Sequence, residues 1–217
     1  MGLAHEWRPC CLPDAPVCER SSVPAMTVRT IDVAMHRCFV VVSGLPGSGK
    51  SALGQRLAAA LGLPLLDKDD VLERLFESKG VGDVDWRRTM SREADRILQA
   101  EAMASRGAVL VSHWHLPGMP ADSGTPTQWL RELSVKVVNV HCCCDAELAA
   151  GRFVQRKRHP GHLDSEKSPS EIRAGIEQIA GFGRLDVQPG VAVDTSRPVS
   201  IDRVLRDVLQ AFQPSGL

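Results

Sequence analysis

Eight consecutive residues have the types and the spacing that bind the phosphates of a nucleoside triphosphate. They fit the pattern G-x-x-x-x-G-K-[ST] and read, in order, Gly44, Leu45, Pro46, Gly47, Ser48, Gly49, Lys50 and Ser51. The glycines allow backbone N–H groups to converge on phosphate oxygens at the positive end of a helix dipole. Lys50 is predicted to reach the β- and γ-phosphates of ATP, and Ser51 to offer its hydroxyl to Mg²⁺.

The residues on either side supply the strand and the helix that such a loop joins. The short apolar run from Phe39 to Val42 is typical of a buried parallel strand. Downstream, Leu53, Leu57 and Leu61 recur at helical spacing until Pro64 stops the helix. The alternative is an ordinary glycine-rich turn, but such a turn does not need a buried strand before it and a helix after it. The sequence therefore predicts a nucleotide-binding loop.

Acidic residues follow the second predicted strand, which spans Pro64 to Leu66. Asp70 and Glu73 have capping-box spacing, which predicts Asp70 as a helix N-cap and leaves Asp69 free at the exit of the strand. A carboxylate beside a γ-phosphate can orient an attacking hydroxyl or accept its proton, and we assign this catalytic role to Asp69. The alternatives are a second capping acid or an outer-shell partner of Mg²⁺.

The chain has one cluster of basic residues, which follows the fourth predicted strand. Arg152 and Arg156 are four residues apart in a predicted helix that runs to His159, so their guanidinium groups should share one face. No acidic residue lies between positions 148 and 163 to pair with them. We therefore predict a lid around residues 152–163 that stabilises the charge of a transferring phosphate, with a solvated basic face as the alternative.

Other polar residues have two interpretations each. His113 and His115 flank Trp114 after the third predicted strand, and they either line an acceptor pocket or merely neighbour a buried tryptophan. His159 and His162 lie near the turn of the lid and receive no chemical role. Three arginines off the apolar face of the long predicted helix would bind an anionic substrate or remain solvated: Arg87, Arg88 and Arg92.

Alternation of strands and helices predicts an α/β fold with a parallel sheet and helices on both faces, in three layers. In such a sheet, the residues that follow the strands meet at one edge. This edge brings four residues near Lys50: Asp69, His113, His115 and Thr195. Residues 1–35 show no apolar period and are predicted to be a poorly ordered N-terminal extension. Residues 36–217 would then form the nucleotide-binding domain.

Composition excludes several classes of protein. The 217 residues contain 26 basic and 26 acidic side chains, so there is no overall positive field to gather nucleic acid or anionic membranes. No apolar run reaches the length of a membrane span, and the sequence favours a cytoplasmic protein without membrane contact. The seven cysteines do not fit a disulfide framework. The spacing of His5, Cys10, Cys11 and Cys18 fits no zinc template. The oligomeric state is left open.

The order of these motifs resembles the small P-loop kinases that include the phage polynucleotide kinase, chloramphenicol phosphotransferase and the zeta toxins. The resemblance covers residues 37–213 and rests on GLPGSGKS, the aspartate after the second strand and the two arginines after the fourth. It implies a P-loop NTPase fold in which Asp69 is the general base and Arg152 and Arg156 hold the transferring phosphate. His113 departs from the Asp-Thr pair of the polynucleotide kinase, which disfavours a nucleic-acid acceptor.

The sequence thus predicts a phosphotransferase that moves the γ-phosphate of ATP to a hydroxyl of a small molecule, with Mg²⁺. The alternatives are a polynucleotide 5′-hydroxyl kinase and a nucleotide-binding module without turnover. A regulatory GTPase is disfavoured because the chain lacks an [NT]-K-x-D guanine signature.

Replacing Lys50 by alanine tests the loop assignment. We expect Lys50→Ala to lose ATP binding or turnover, because the ammonium is the loop's direct charge partner for the phosphates, while the fold is retained. Equilibrium binding of a fluorescent ATP analogue measures the first effect, and circular dichroism measures the second. A folded variant with unchanged ATP affinity and activity would refute the assignment.

Overall fold

The computed structural model describes residues 38–133 and 136–213. The predicted N-terminal extension, residues 1–35, lies outside the described residues. The strands are β1 Cys38–Gly44, β2 Leu65–Asp67, β3 Gly107–Val111, β4 Lys136–Cys143 and β5 Gly190–Asp194. The helices are α1 Lys50–Leu61, α2 Lys68–Lys79, α3 Val84–Ala104, α4 Ala146–Gln155, α5 Pro169–Gly181 and α6 Ile201–Ala211. Short 3₁₀ helices cover Gln128–Leu133, Pro160–His162 and Asp164–Glu166.

The five strands form one parallel sheet in the order β2-β3-β1-β4-β5. The central strand β1 pairs on both sides, with Val40 opposite Val109 of β3 and Val138 of β4. Because all strands run the same way, their carboxyl ends meet at one edge of the sheet. The predicted α/β class with a parallel sheet is confirmed.

Alternation along β1 divides the core into two layers. Phe39 and Val41 pack on one face with Leu98 of α3, whereas Val40 and Val42 pack on the other with side chains of α1 and α6. All four strand residues are fully buried, so the sheet is covered on both faces as the sequence predicts. Among the described residues, no helix combines the length and the apolar character needed to cross a membrane.

The start of α2 and the end of α4 differ from the predictions. The side chain of Asp67 accepts a hydrogen bond from the Asp69 N–H at 3.0 Å, which makes Asp67 the N-cap of α2. The sequence predicts Asp70 as the cap, and that prediction is wrong because the helix begins three residues earlier. Helix α4 ends at Gln155 rather than at His159, and Arg156 has an extended backbone. Arg152 and Arg156 therefore do not share a helix face.

Candidate active site

The phosphate-binding loop lies between β1 and α1 in a backbone conformation that its glycines permit. Gly47 and Gly49 have positive φ values of 81° and 90°. A Cβ atom on Gly47 would lie 2.1 Å from the carbonyl oxygen of Ala149, so α4 packs too closely for any side chain there. Gly49 caps α1 without a side-chain hydrogen bond, which leaves the first backbone N–H groups of the helix to an anion.

The ammonium of Lys50 is folded over this loop. Its Nζ donates to the carbonyl oxygens of Gly44 at 3.1 Å and Leu45 at 2.8 Å. Burial lowers the pKa of Lys50 to about 8, against the opposing effect of nearby acidic groups that include Asp69. The lysine therefore still carries its charge at neutral pH, in the place where phosphate oxygens would enter.

Asp67 is a site residue that the sequence analysis missed. It is buried at the end of β2, and burial raises its pKa to about 6, with Asp69 adding to the rise and a hydrogen bond with Ser51 opposing it. The hydroxyl of Ser51 and this carboxylate are hard oxygen donors of the kind that Mg²⁺ prefers. The sequence signal was the Asp that ends a strand beside the loop, but the predicted strand stopped one residue too early to include it.

Asp69, the predicted base, is held by an arginine that received no role in the sequence analysis. The Arg158 Nη2 lies 2.6 Å from Asp69 Oδ2, and Nη1 of the same guanidinium lies 3.0 Å from Asp164 Oδ2. Burial raises the pKa of Asp69, but the cations around it, first Arg158, outweigh burial and hold the pKa below its ordinary value. Asp69 is therefore a carboxylate at neutral pH.

The two predicted lid arginines line the same cleft but have different partners. Arg152 donates to the carbonyl oxygens of Thr195 at 2.8 Å and Ser196 at 3.3 Å, after β5. The Arg156 guanidinium lies 4.6 Å from the centre of the Phe153 ring, and burial lowers its pKa. The structure thus places Arg152 against the end of β5. It places Arg156 near enough to Asp69 for the carboxylate charge to raise the pKa of Arg156, against the effect of burial.

A cleft of about 930 Å³ joins these groups. It is lined by the phosphate loop, by residues of α3 and the segment after β3, and by the arginines after α4. The three predicted arginines of α3 all line it, and the buried Nε of Arg87 has no hydrogen-bond partner. No three His, Cys, Asp or Glu side chains of the described residues come together as a metal cluster, and Mg²⁺ held by few carboxylates and phosphates requires none.

The four histidines considered in the sequence analysis have different environments. His113 lines the cleft, and burial lowers its pKa to about 4, so the ring is neutral at physiological pH. His115 Nδ1 lies 2.7 Å from the Ser123 carbonyl oxygen. His159 stacks on the ring of Phe76, and His162 Nε2 lies 2.9 Å from Glu73 Oε1. Only His113 among them therefore lines the cleft.

Comparison with known proteins shows what this chain is similar to. A family model described as an AAA domain matches residues 39–178. The shikimate kinase of Corynebacterium glutamicum is 44% identical over 73 residues, which are 33% of this chain and 43% of that enzyme. The chain thus matches less than half of that relative's length. The shikimate kinase of Caulobacter vibrioides is 27% identical over 175 residues, or 79% of this chain and 82% of the enzyme.

Solved structures of other proteins share the fold of this chain. A candidate kinase from Chloroflexus aurantiacus aligns with a TM-score of 0.68 and 25% identity, covering 81% of this chain and 98% of that one. The shikimate kinase of Acinetobacter baumannii in complex with shikimate aligns with a TM-score of 0.53 and 20% identity, covering 83% and 95% of the two chains. The second likeness shows the fold alone.

The raised pKa of Asp67 predicts that this residue opposes folding at neutral pH. A carboxyl whose pKa rises to about 6 on folding contributes stability below its ordinary pKa and loses that contribution as the pH rises through 6. Asp67→Asn retains a capping side chain and removes the buried charge, so we expect it to raise the free energy of unfolding by about 1–3 kcal/mol at pH 7.5. The gain should be smaller at pH 4.

Urea unfolding at the two pH values measures this effect. Asp83→Asn, the same substitution at the exposed N-cap of α3, controls for the loss of a capping carboxylate. A gain for Asp67→Asn that is absent at pH 7.5, or that is larger at pH 4, contradicts the assigned ionisation.

Proposed function

Because the chain belongs to the AAA-domain family, we propose that it is an ATP-dependent phosphotransferase that acts on a hydroxyl of a small, anionic molecule. The observation that carries the proposal is that the phosphate loop, the Asp69 carboxylate and six arginines line the same cleft. The predicted likeness to small P-loop kinases is confirmed. The kinase names of the relatives support the activity.

In this proposal, the phosphates of ATP occupy the loop. Lys50 would exchange the two carbonyl oxygens that it now contacts for phosphate oxygens, and the N-terminus of α1 would supply backbone N–H donors. Ser51 and Asp67 would hold Mg²⁺, which when bound neutralises phosphate charge. Burial raises the pKa of Asp67 and so disfavours its charged form, whereas a bound cation would favour that charged form.

Asp69 would position the acceptor hydroxyl. In the structure its Oδ2 is occupied by Arg158, and a carboxylate with a lowered pKa is a weak proton acceptor. A γ-phosphate offers Arg158 a competing anion within the same cleft. As the guanidinium moves toward that phosphate, the pKa of Asp69 would rise and the carboxylate would become a better proton acceptor for the hydroxyl.

The lid arginines would neutralise the transferring group. Its three equatorial oxygens carry excess negative charge, and guanidinium groups that are already desolvated stabilise that charge strongly. Arg158 meets this description, because it lines the cleft and is only 12% exposed. Arg156 also lines the cleft, but its side chain is exposed. Arg152, held on the carbonyls after β5, would fix the base of the lid formed by residues 152–163.

The acceptor would carry a negative group. Arg87, Arg88 and Arg92 of α3 line the cleft, and the buried Nε of Arg87 lacks a partner that an anion could supply. A carboxylate or a phosphate takes two donors of a guanidinium at once. Since the matched relatives are named shikimate kinases, shikimate, a hydroxylated carboxylic acid, is the first acceptor to test. The equal numbers of acidic and basic residues disfavour a polynucleotide.

Transfer of labelled phosphate tests this function. We expect the protein to move ³²P from γ-labelled ATP to shikimate or to another small hydroxy acid, in parallel with pools of sugars, nucleosides, aminoglycosides and short oligonucleotides. Asp69→Asn should reduce kcat by about 10²-fold or more with ATP affinity retained, because the hydroxyl loses its anionic partner. Asp70→Asn, at the next position of the same helix turn, is the matched control and should keep the activity.

Three results would contradict the proposal in different ways. Transfer to oligonucleotides alone supports a polynucleotide kinase. Tight ATP binding without transfer to any pool supports a binding module without turnover. Full activity of Asp69→Asn removes that residue from the mechanism.

A further inference from the structure

A chain of buried polar side chains connects three elements that form the wall of the cleft. Lys68 Nζ lies 2.7 Å from Asp95 Oδ1, and the same oxygen accepts a hydrogen bond from Thr125 Oγ1 at 2.7 Å. Thr125 Oγ1 in turn lies 2.5 Å from Ser112 Oγ. All four side chains are buried, and Lys68 and Ser112 also line the cleft. None of the four has a part in the proposed phosphate transfer.

The donors and acceptors of this network are determined by its chemistry. A hydroxyl has one proton, and Thr125 gives its proton to Asp95, so Ser112 donates to Thr125. Asp95 Oδ1 thus receives both an ammonium and a hydroxyl. A buried ion pair is on average no more stabilising than well-packed apolar residues of similar volume, because both charges lose their water. Stability alone therefore gives no physical reason for a network of this kind.

Each arm of the network ends beside a group that faces the cleft. Lys68 directly precedes Asp69 in the first turn of α2. Thr125 bonds the segment after β3 through its backbone, donating to the His113 carbonyl oxygen at 2.7 Å and accepting from the His115 N–H at 2.9 Å. The network therefore links the position of the Asp69 backbone to that of His113.

The third arm concerns the arginine on α3. Asp95 Oδ2 is buried without a hydrogen bond, and the Arg92 Nη1 lies 3.8 Å from it, one turn earlier in the helix. Nη2 of Arg92 donates to the Asp122 carbonyl oxygen in the segment after β3. One carboxylate thus holds α2 through Lys68, the segment after β3 through Thr125, and the Arg92 guanidinium by charge.

We propose that Asp95 is a positioning residue for acceptor binding: with Lys68 and Thr125 it aligns Asp69, His113 and Arg92 on the acceptor wall of the cleft. The acceptor wall is defined here as the cleft residues of α3 and of the segment after β3. The inference rests on the proposed function for the identity of the acceptor. It does not involve the phosphate loop, so ATP binding should be independent of it.

Steady-state kinetics of three variants separate positioning from nucleotide binding. In Thr125→Val the hydroxyl is lost at nearly constant volume, and Asp95→Asn removes the charge. For both we expect the KM for shikimate to rise about tenfold or more while the KM for ATP changes little, because only the acceptor wall is released. Thr89→Val is the matched control, since the Thr89 hydroxyl bonds the Asp85 carbonyl oxygen within α3 and should leave both constants unchanged. Equal increases in both KM values would overturn the proposal.

A double variant distinguishes positioning from a purely structural role. Lys68→Met combined with Asp95→Leu replaces the ion pair by an apolar pair, which can restore a melting temperature lost in Asp95→Asn. If the network positions the wall, the double variant remains stable but keeps the raised KM for shikimate. If the apolar pair restores the shikimate KM together with the melting temperature, the network only supports the fold and the proposal fails.

Hydrogen exchange keeps the inference testable if shikimate is not an acceptor. In Thr125→Val, amide exchange should rise in peptides that cover residues 68–79 and 112–125, and stay unchanged in β1 and the phosphate loop. Mass spectrometry of the ATP-bound protein gives this readout without any turnover. Uniform exchange across the chain, or a rise confined to residues 112–125, would show that Asp95 does not couple the elements. Coupled exchange without shikimate turnover would instead contradict only the proposed acceptor.

Discussion

The structure depends on the polar partners that replace water around the charged side chains at one edge of the sheet. Water is withdrawn from Lys50, Asp67, Lys68 and Asp95, and each has a specific partner in its place. Lys50 has two carbonyl oxygens, Asp67 has a serine hydroxyl and a backbone N–H, and Lys68 has Asp95. Charges that are already desolvated interact strongly with an incoming phosphate, because little solvent must reorganise when it arrives. Burial lowers the pKa of Lys50 and raises the pKa of Asp67, and each shift reflects the free energy by which burial disfavours the charged form.

How much of this was readable from the sequence depended on how local each feature is. The strand, loop and helix from β1 to α1 follow from residues within about twenty positions of one another, and the sequence predicts them correctly. The parallel sheet follows from the alternation of strands and helices. The position of Asp67 was missed because the helix begins at the residue after it, and a run of three acids within four positions gives several equally good caps.

The arginines after α4 show that a sequence pattern alone does not determine where a helix ends. The sequence Arg156-Lys157-Arg158 has helix-forming residues throughout, and nothing local shows that α4 stops at Gln155. The stop comes from tertiary contacts of the residues that follow. A Cβ on Gly161 would lie 2.4 Å from the Phe76 ring, and His162 bonds Glu73, so the segment after α4 is docked on α2. Only this docking turns Arg158 toward Asp69, and periodicity cannot reveal it.

The docked segment has a consequence for the order of events in the cleft. While Arg158 contacts Asp69 at 2.6 Å, the guanidinium holds the pKa of this carboxyl below its ordinary value, which makes Asp69 a weak proton acceptor for an acceptor hydroxyl. The guanidinium has a second carboxylate partner in Asp164, so its movement toward a phosphate need not leave it without an anion. Under the proposed function, an acceptor that enters before ATP meets an Asp69 whose basicity is reduced by Arg158, whereas one that enters after ATP meets a carboxylate whose cation has been drawn toward the phosphate. In that mechanism the ion pair favours nucleotide binding before productive acceptor binding, because Asp69 stays a weak proton acceptor until a phosphate draws Arg158 away.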